Sequence, residues 1–250
     1  MRKEKWHVSI IIMAALIVTA SAFAATPKEK KKKRTPPKPN TLNQREVKQG
    51  FTLLFDGKSL EHFKGIKSDA IPAGAWIVKG GQIICTPRKE GAKGARGSIV
   101  TKEQYANFDF RFQYKLDTDF EGAVNSGIKY FSYLGAELGL EYQLYDHDKE
   151  IKGAHAVGDL YDLLPATERP AKPRGKWNRV RIVAKGKNVE HWLNNKKILS
   201  FERGSEAFRA AVAKSKFKKH ERFGEADQGP IILQDHGGGI AFRNIKIKVD

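Results

Sequence analysis

The sequence predicts an all-β chain: a jelly-roll β-sandwich of two curved antiparallel sheets, with one short helix near residues 205–215. Three observations carry this. Phe108 to Leu116, FDFRFQYKL, alternates apolar and polar residues along its whole length, the period of a half-buried strand. Glycine-rich turn signals at Asp56-Gly57, Gly80-Gly81 and Lys185-Gly186-Lys187-Asn188 separate short apolar runs, as hairpins require. Only Ser205 to Ser215, SEAFRAAVAKS, spaces its apolar residues (Ala207, Phe208, Ala211, Val212) for a helix. About 200 residues of such text hold roughly a dozen strands, too many for an immunoglobulin-like domain and suited to a jelly roll.

In chain order, Arg2, Lys3 and Lys5 precede an apolar run from Val8 to Val18, and Ala22-Phe23-Ala24 supplies small residues where a signal peptidase reads. The run is too short to span a bilayer comfortably. Residues 1–24 are therefore expected to be a cleaved secretory signal, with an uncleaved N-terminal anchor as the alternative, which makes the mature protein periplasmic or secreted. Residues 25–48 contain TPKEKKKKRTPPKPN, with little to bury, and are expected to form a disordered, semi-extended linker. Such a tail could tether inertly or touch an anionic envelope surface.

The folded domain is expected over 49–250. Phe51 to Phe55 reads as a strand entering the Asp56-Gly57 turn. Trp76-Ile77-Val78 and Gln82 to Cys85 flank Gly80-Gly81 as a hairpin. Ser98 to Thr101, Phe108 to Leu116, Ser126 to Tyr133 and Gly139 to Asp146 follow as strands. Arg179 to Ala184 and Val189 to Leu193 form a second hairpin. Ile231 to Gln234 and Ile240 to Val249 close the chain.

Composition narrows the function classes. The net charge is +18, but residues 1–45 hold 11 Lys/Arg against 2 Glu, so half of the excess sits on the tail. Nucleic-acid binding is not the inference from that distribution. A single cysteine, Cys85 within Ile83-Ile84-Cys85, allows no internal disulfide and reads as a buried, inert thiol. No nucleophile elbow, phosphate loop, paired-cysteine site or dinucleotide fingerprint is present, so no cofactor and no metal are expected. Asp146-His147-Asp148 matches no metal-ligand spacing.

The chemistry lies on strand faces. In GLEYQLYD, Leu140, Tyr142 and Leu144 face one way and Glu141, Gln143 and Tyr145 the other, successive members roughly 7 Å apart. A carboxylate, an amide and a phenol in a row suit a polyhydroxylated ligand better than a plain solvated face. The same phase puts Asn125 and Lys129 outward, Arg181 outward, and Glu190, Trp192 and Asn194 outward with His191 on the core side. If these strands share one sheet, its outer face collects Asn125, Lys129, Glu141, Gln143, Tyr145, Arg181, Glu190 and Trp192. That is a sugar-binding inventory with a possible acid–base pair inside it. Trp192 reads either as a plate for a pyranose or as a packing tryptophan at a sheet edge. Gln234-Asp235-His236 before three glycines reads either as an active-site loop or as a plain hairpin turn.

The segments GFTLLFDGKSL, NSGIKYF, GLEYQLYD, LYDLLP, KPRGKWNRVRIVAKGKNVEHWLN, SKF and GPIILQDHGGGIAFRNIKIK together resemble, in order, the 3-keto-disaccharide hydrolase domain family over residues 49–249. The resemblance implies a concanavalin A-like lectin/glucanase sandwich acting on glycosides oxidised at the sugar 3-position. Carried over by position, its recurrent polar residues are Asn125, Glu141, Gln143, Trp177, Asn178, Glu190, His191, Trp192, Lys216, Gln234, Asp235, His236 and Arg243. One departure is Asn194-Asn195, where an Asn-Gly turn is expected. The implied chemistry is C2 proton abstraction and elimination at C1, then addition of water. Glu141 or Glu190 would be base and acid, Lys129, Lys216 or Arg243 would hold the enolate, and His236 beside Asp235 would relay a proton. The alternatives are direct two-carboxylate glycoside hydrolysis, a non-catalytic glycan-binding module using the same face, and an envelope protein bound through its basic tail.

Overall fold

The computed structural model describes Met1 and residues 37–88, 94–146 and 151–250. The expected signal segment and the pair His147-Asp148 lie outside the described residues. Residues Pro37–Asp250 form one compact unit.

Thirteen strands are described: β1 (Thr52–Leu53), β2 (Phe63–Gly65), β3 (Trp76–Lys79), β4 (Gln82–Cys85), β5 (Ile99–Thr101), β6 (Phe108–Leu116), β7 (Asn125–Tyr130), β8 (Leu140–Tyr145), β9 (Asn178–Lys185), β10 (Asn188–Leu193), β11 (Lys196–Glu202), β12 (Ile232–Leu233) and β13 (Ile240–Val249). Two helices, α1 (Gln44–Lys48) and α2 (Glu206–Lys214), and a 3₁₀ turn over Lys216–Lys219 complete the elements. The larger sheet runs β11-β10-β9-β6-β13-β4-β3, with β1 also on β13; the smaller runs β2-β5-β12-β7-β8. Every strand pair is antiparallel. This is the jelly-roll sandwich that the alternation of FDFRFQYKL announces.

The core lies between the sheets. Phe108, Phe110, Phe112, Tyr114 and Leu116 of β6 are all buried, each worth about 1.5–3 kcal/mol relative to exposure. They meet the inward face of the smaller sheet, where Tyr130 sits edge-on to Phe108 at 6.3 Å between ring centroids. His191 lies on the core side and is fully buried. One ring nitrogen meets the Tyr130 hydroxyl at 2.7 Å and the other the Gly158 carbonyl at 2.9 Å. Burial pushes its pKa down to about 4, so the ring is neutral at pH 7. It ties the core to the segment 158–161, which pairs along the free edge of β8 through Gly158 N–H to Gln143 O and Tyr161 N–H to Glu141 O.

Three local differences from the sequence reading have physical causes. Strands β2 and β11 were not legible: β2 is three residues ending in glycine. In β11 the buried pair Ile198 and Leu199 is consecutive, because the ladder to β10 slips between His191 and Trp192. The first strand shrinks to Thr52–Leu53. Residues 37–48, within the expected linker, are built onto the larger sheet. The Asn40 and Asn244 side chains each accept from the other's backbone N–H, and Asn40 Nδ2 donates to Gly81 O. Glu46 pairs with Lys246.

Helix α2 begins where serine ends the preceding turn. Ser205 Oγ accepts from Phe208 N–H at 3.2 Å, which satisfies one orphan donor of the first turn. Phe208 is the helix's buried anchor. Ser205→Ala is expected to cost about 1 kcal/mol, read as a lower urea midpoint at unchanged m-value; an unchanged midpoint would show that the cap contributes nothing.

Candidate active site

On the outward face of the smaller sheet, register brings the polar residues of β7 and β8 opposite one another. Lys129 pairs across from Glu141, Gly127 from Gln143 and Asn125 from Tyr145. The third strand, β12, sets Ile232 beside Lys129. Gln234, just past its end, donates its backbone N–H to Gly127 O at 3.0 Å. This face is polar but sheltered: Lys129, Glu141 and Gln143 are only 8%, 6% and 2% exposed.

Glu141 is the centre of the cluster. Its Oε2 lies 3.6 Å from Lys129 Nζ, and Lys129 also donates to Glu137 O at 2.9 Å. Burial raises the Glu141 pKa above its ordinary value, opposed by the charges of Lys129 and Lys216 and by His236. Room for the carboxylate comes from Gly127, where a Cβ would lie 2.1 Å from Glu141 Oε1. Gln143 Nε2 donates to Asn125 Oδ1 at 3.1 Å, and Asn125 Nδ2 approaches His236 Nε2 at 3.5 Å. The side-chain oxygens of Gln143 and Gln234 are buried without a hydrogen-bond partner among the described residues. Buried acceptors of this kind ordinarily require a partner, and sugar hydroxyls are donors of the right kind.

The rim comes from two loops. Lys216 opens the 3₁₀ turn, with its Nζ 4.2 Å from the centre of the Tyr161 ring. Its backbone N–H donates to Asp162 Oδ2 at 2.8 Å, and Asp162 Oδ1 meets His155 Nε2 at 3.0 Å. The turn bearing His236 is fixed by Asp235, but differently from the expected Asp–His pair. Asp235 accepts from Arg96 Nη2 at 2.7 Å and Nε at 3.1 Å, and from the N–H groups of Gly97 and Gly237. Partial burial works against ionisation, yet the Arg96 bonds hold the Asp235 pKa below its ordinary value. Cys85 Sγ donates to the same carboxylate, and burial pushes that thiol's pKa well up; it is inert. Asp235 is thus an anchor for the turn, and the group His236 meets is Asn125.

The shared outer face of eight residues does not form. Strands β9 and β10 belong to the other sheet, so Arg181, Glu190 and Trp192 sit on the opposite side of the sandwich from Glu141. Arg181 pairs with Asp109 at 2.9 Å. Trp192 Nε1 donates to Glu190 Oε2 at 2.9 Å, with Arg181 over its ring at 5.2 Å. Partial burial of Glu190 is outweighed by bonds from Trp192 and Lys197, which lower its pKa; it is an ordinary ionised carboxylate. Arg243 is also on the larger sheet, bonded to Gln113 and 3.9 Å over Trp177. Asn178 is buried, accepting from Lys172 N–H and from Asn194 Nδ2. Asn194 and Asn195 take the β10–β11 turn with φ of 48° and 72°, a conformation asparagine tolerates. Sequence reasoning missed Arg96, Glu137, Tyr161, His155 and Asp162, which sit in loops. Among the described residues, no group of three or more His, Cys, Asp or Glu is placed to hold a metal ion.

A 3-keto-alpha-glucoside-1,2-lyase-like domain model matches residues 50–248. The chain belongs to that family. It is 27% identical over 235 residues to a 3-keto-disaccharide hydrolase of Bacteroides thetaiotaomicron, covering 80% of this chain and 78% of that one. A crystal structure of a provisionally named glycosyl hydrolase from Parabacteroides distasonis matches with a TM-score of 0.74 at 30% identity, over 85% of this chain and 100% of the other. A second from the same species matches with a TM-score of 0.62 at 25% identity, over 80% and 99%. The family member described here is therefore a carbohydrate-active, glycosyl hydrolase-like protein.

Proposed function

We propose that the protein cleaves glycosides that carry a ketone at C3, and that it does so outside the cytoplasm. One observation carries the reading: a buried carboxylate of raised pKa, Glu141, stands beside Lys129 on a sheltered sheet face whose rim loops carry Lys216 and His236. The C3 ketone acidifies the C2 hydrogen. Glu141 takes that proton, and its raised pKa makes it a stronger base than an exposed carboxylate. The electron pair moves to the C3 oxygen, where Lys129 and Lys216 balance the developing charge. Return of that pair forms the C1–C2 double bond and expels the C1 oxygen substituent, which receives a proton from His236. Water then adds to C1 and a proton returns to C2, giving net hydrolysis. Gln143 and Gln234 supply acceptors for the remaining hydroxyls. Direct two-carboxylate hydrolysis wants paired carboxyls about 5–9.5 Å apart, and Glu190, on the other sheet, does not provide the second.

The test is incubation with 3-keto-glycosides beside their unoxidised parents, with products followed by mass spectrometry. Cleavage of the keto forms alone is expected. Equal cleavage of the parents would replace elimination with ordinary hydrolysis, and binding without cleavage would make the protein a lectin-like module. The location rests on residues 1–24, and mature protein beginning at Ala25 is the expected result of N-terminal sequencing of the exported form; an intact Met1 there would overturn it.

A further inference from the structure

The opposite side of the sandwich carries a concave feature that the cleavage reading does not use. A groove of about 510 Å³ lies between residues 37–46 and the outer faces of β6, β9 and β13. Five cations line it, Lys38, Arg111, Arg179, Arg181 and Lys246, and among the described residues Glu46 is the only carboxylate in the lining. Glu46 neutralises Lys246. Asp109 grips Arg111 and Arg181 together, through Nε and Nη2 of each. Counting Asp109, five positive charges face two negative, a surplus of three. Both guanidinium planes are fixed in advance, and neither Nη1 group has a partner among the described residues. The side chains of Arg179 and Lys38 have no ion pair there either. Trp192 also lines it, with Arg181 5.2 Å over its ring.

We propose that this groove binds an acidic polysaccharide, one bearing carboxylates or sulfates, as a docking site separate from the cleavage site. Immobilised arginines with unused donors suit bidentate recognition of carboxylate and sulfate oxygens. The groove is concave and pairs cations with an indole plate, which fits a sugar chain better than a flat lipid surface. The charge continues in the chain itself: Arg34, the last cation of the run Lys30 to Arg34, is three residues before Pro37 at the groove's lip. A neutral substrate unit could thus be cleaved on one sheet while an anionic polymer holds the protein by the other.

Titration calorimetry of the full chain tests this, with polygalacturonate as probe and dextran as the neutral control. Polygalacturonate should bind and dextran should not, and affinity should fall linearly on a log–log scale with salt. Arg179→Glu should weaken binding at least tenfold and flatten the salt slope, as should Lys38→Glu; both side chains are free of ion pairs among the described residues, so thermal melting should be unchanged. Cleavage of the keto-glycoside should be untouched in both, which separates failure here from failure of the proposed function. A full chain with Lys30 to Arg34 replaced by serine should keep binding that is sensitive to Arg179→Glu. Affinity unaffected by Arg179→Glu and Lys38→Glu, or lost wholly with the serine tail, would overturn the groove. Duplex DNA or phosphatidylserine vesicles bound as tightly, with the same sensitivity, would overturn the choice of partner.

Discussion

Replacing Glu141 by Gln should lower kcat/KM on the keto-glycoside by about 10²–10⁴-fold, the usual worth of a positioned general base, while the melting profile stays cooperative. Glutamine keeps the shape and one acceptor oxygen but cannot take a proton. Substrate affinity should therefore survive where turnover does not. The pH dependence sharpens the test. Burial raises the Glu141 pKa and Lys129 opposes it, and the base acts only when deprotonated. The acid limb of kcat/KM should thus lie above the ordinary glutamate value of about 4.3. Lys129→Met removes the first of the opposing charges, so the limb should move to still higher pH. Stability has the matching sign. A pKa higher in the folded than in the unfolded state gives a contribution that is complete below the unfolded value and lost as pH rises through the folded one. Glu141→Gln should remove that part of the acid-to-neutral decline. A variant with full turnover, or a limb that stays near 4.3 in both proteins, would remove Glu141 from the role of base.

The same residue shows how much the sequence discloses. In GLEYQLYD the alternation of side chains fixes which residues share a face, because successive strand residues must point oppositely. Asn125, Lys129, Glu141, Gln143 and Tyr145 share one for that reason. Alternation does not say which sheet a strand joins. Arg181, Glu190 and Trp192 show the same local pattern, yet β9 pairs with β6, and β10 with β9, in the other sheet, a choice made by contacts far apart in sequence. Asp235 and His236 mislead for a related reason. They are neighbours in the chain, but the partner of Asp235 is Arg96, 139 residues away. Shelter was equally hidden: Glu141 reads as an exposed strand residue, and what buries it depends on loops whose placement no local pattern encodes.

Gly127→Ala should cost about a hundredfold in kcat/KM while changing stability little. The position is an ordinary strand site whose backbone does not need glycine, for its φ lies outside the left-handed region. Alanine would even narrow the unfolded ensemble, a gain of about 0.4–1 kcal/mol set against the crowding. The crowding is specific. The added methyl would sit 2.1 Å from Glu141 Oε1 and 2.8 Å from its Cγ and Cδ, so the carboxylate must swing away. Displacement of a reacting group by about 1 Å is enough for a loss on the order of 10². Because the damage passes through Glu141, it should vanish in a Glu141→Gln background, where no base remains to be misplaced. Strong non-additivity in that double-mutant cycle is the expected signature of a shared mechanism. Additive losses would show that Gly127 serves the substrate or the sheet directly. Full activity in Gly127→Ala would show that the carboxylate position seen here is not the one that does the chemistry.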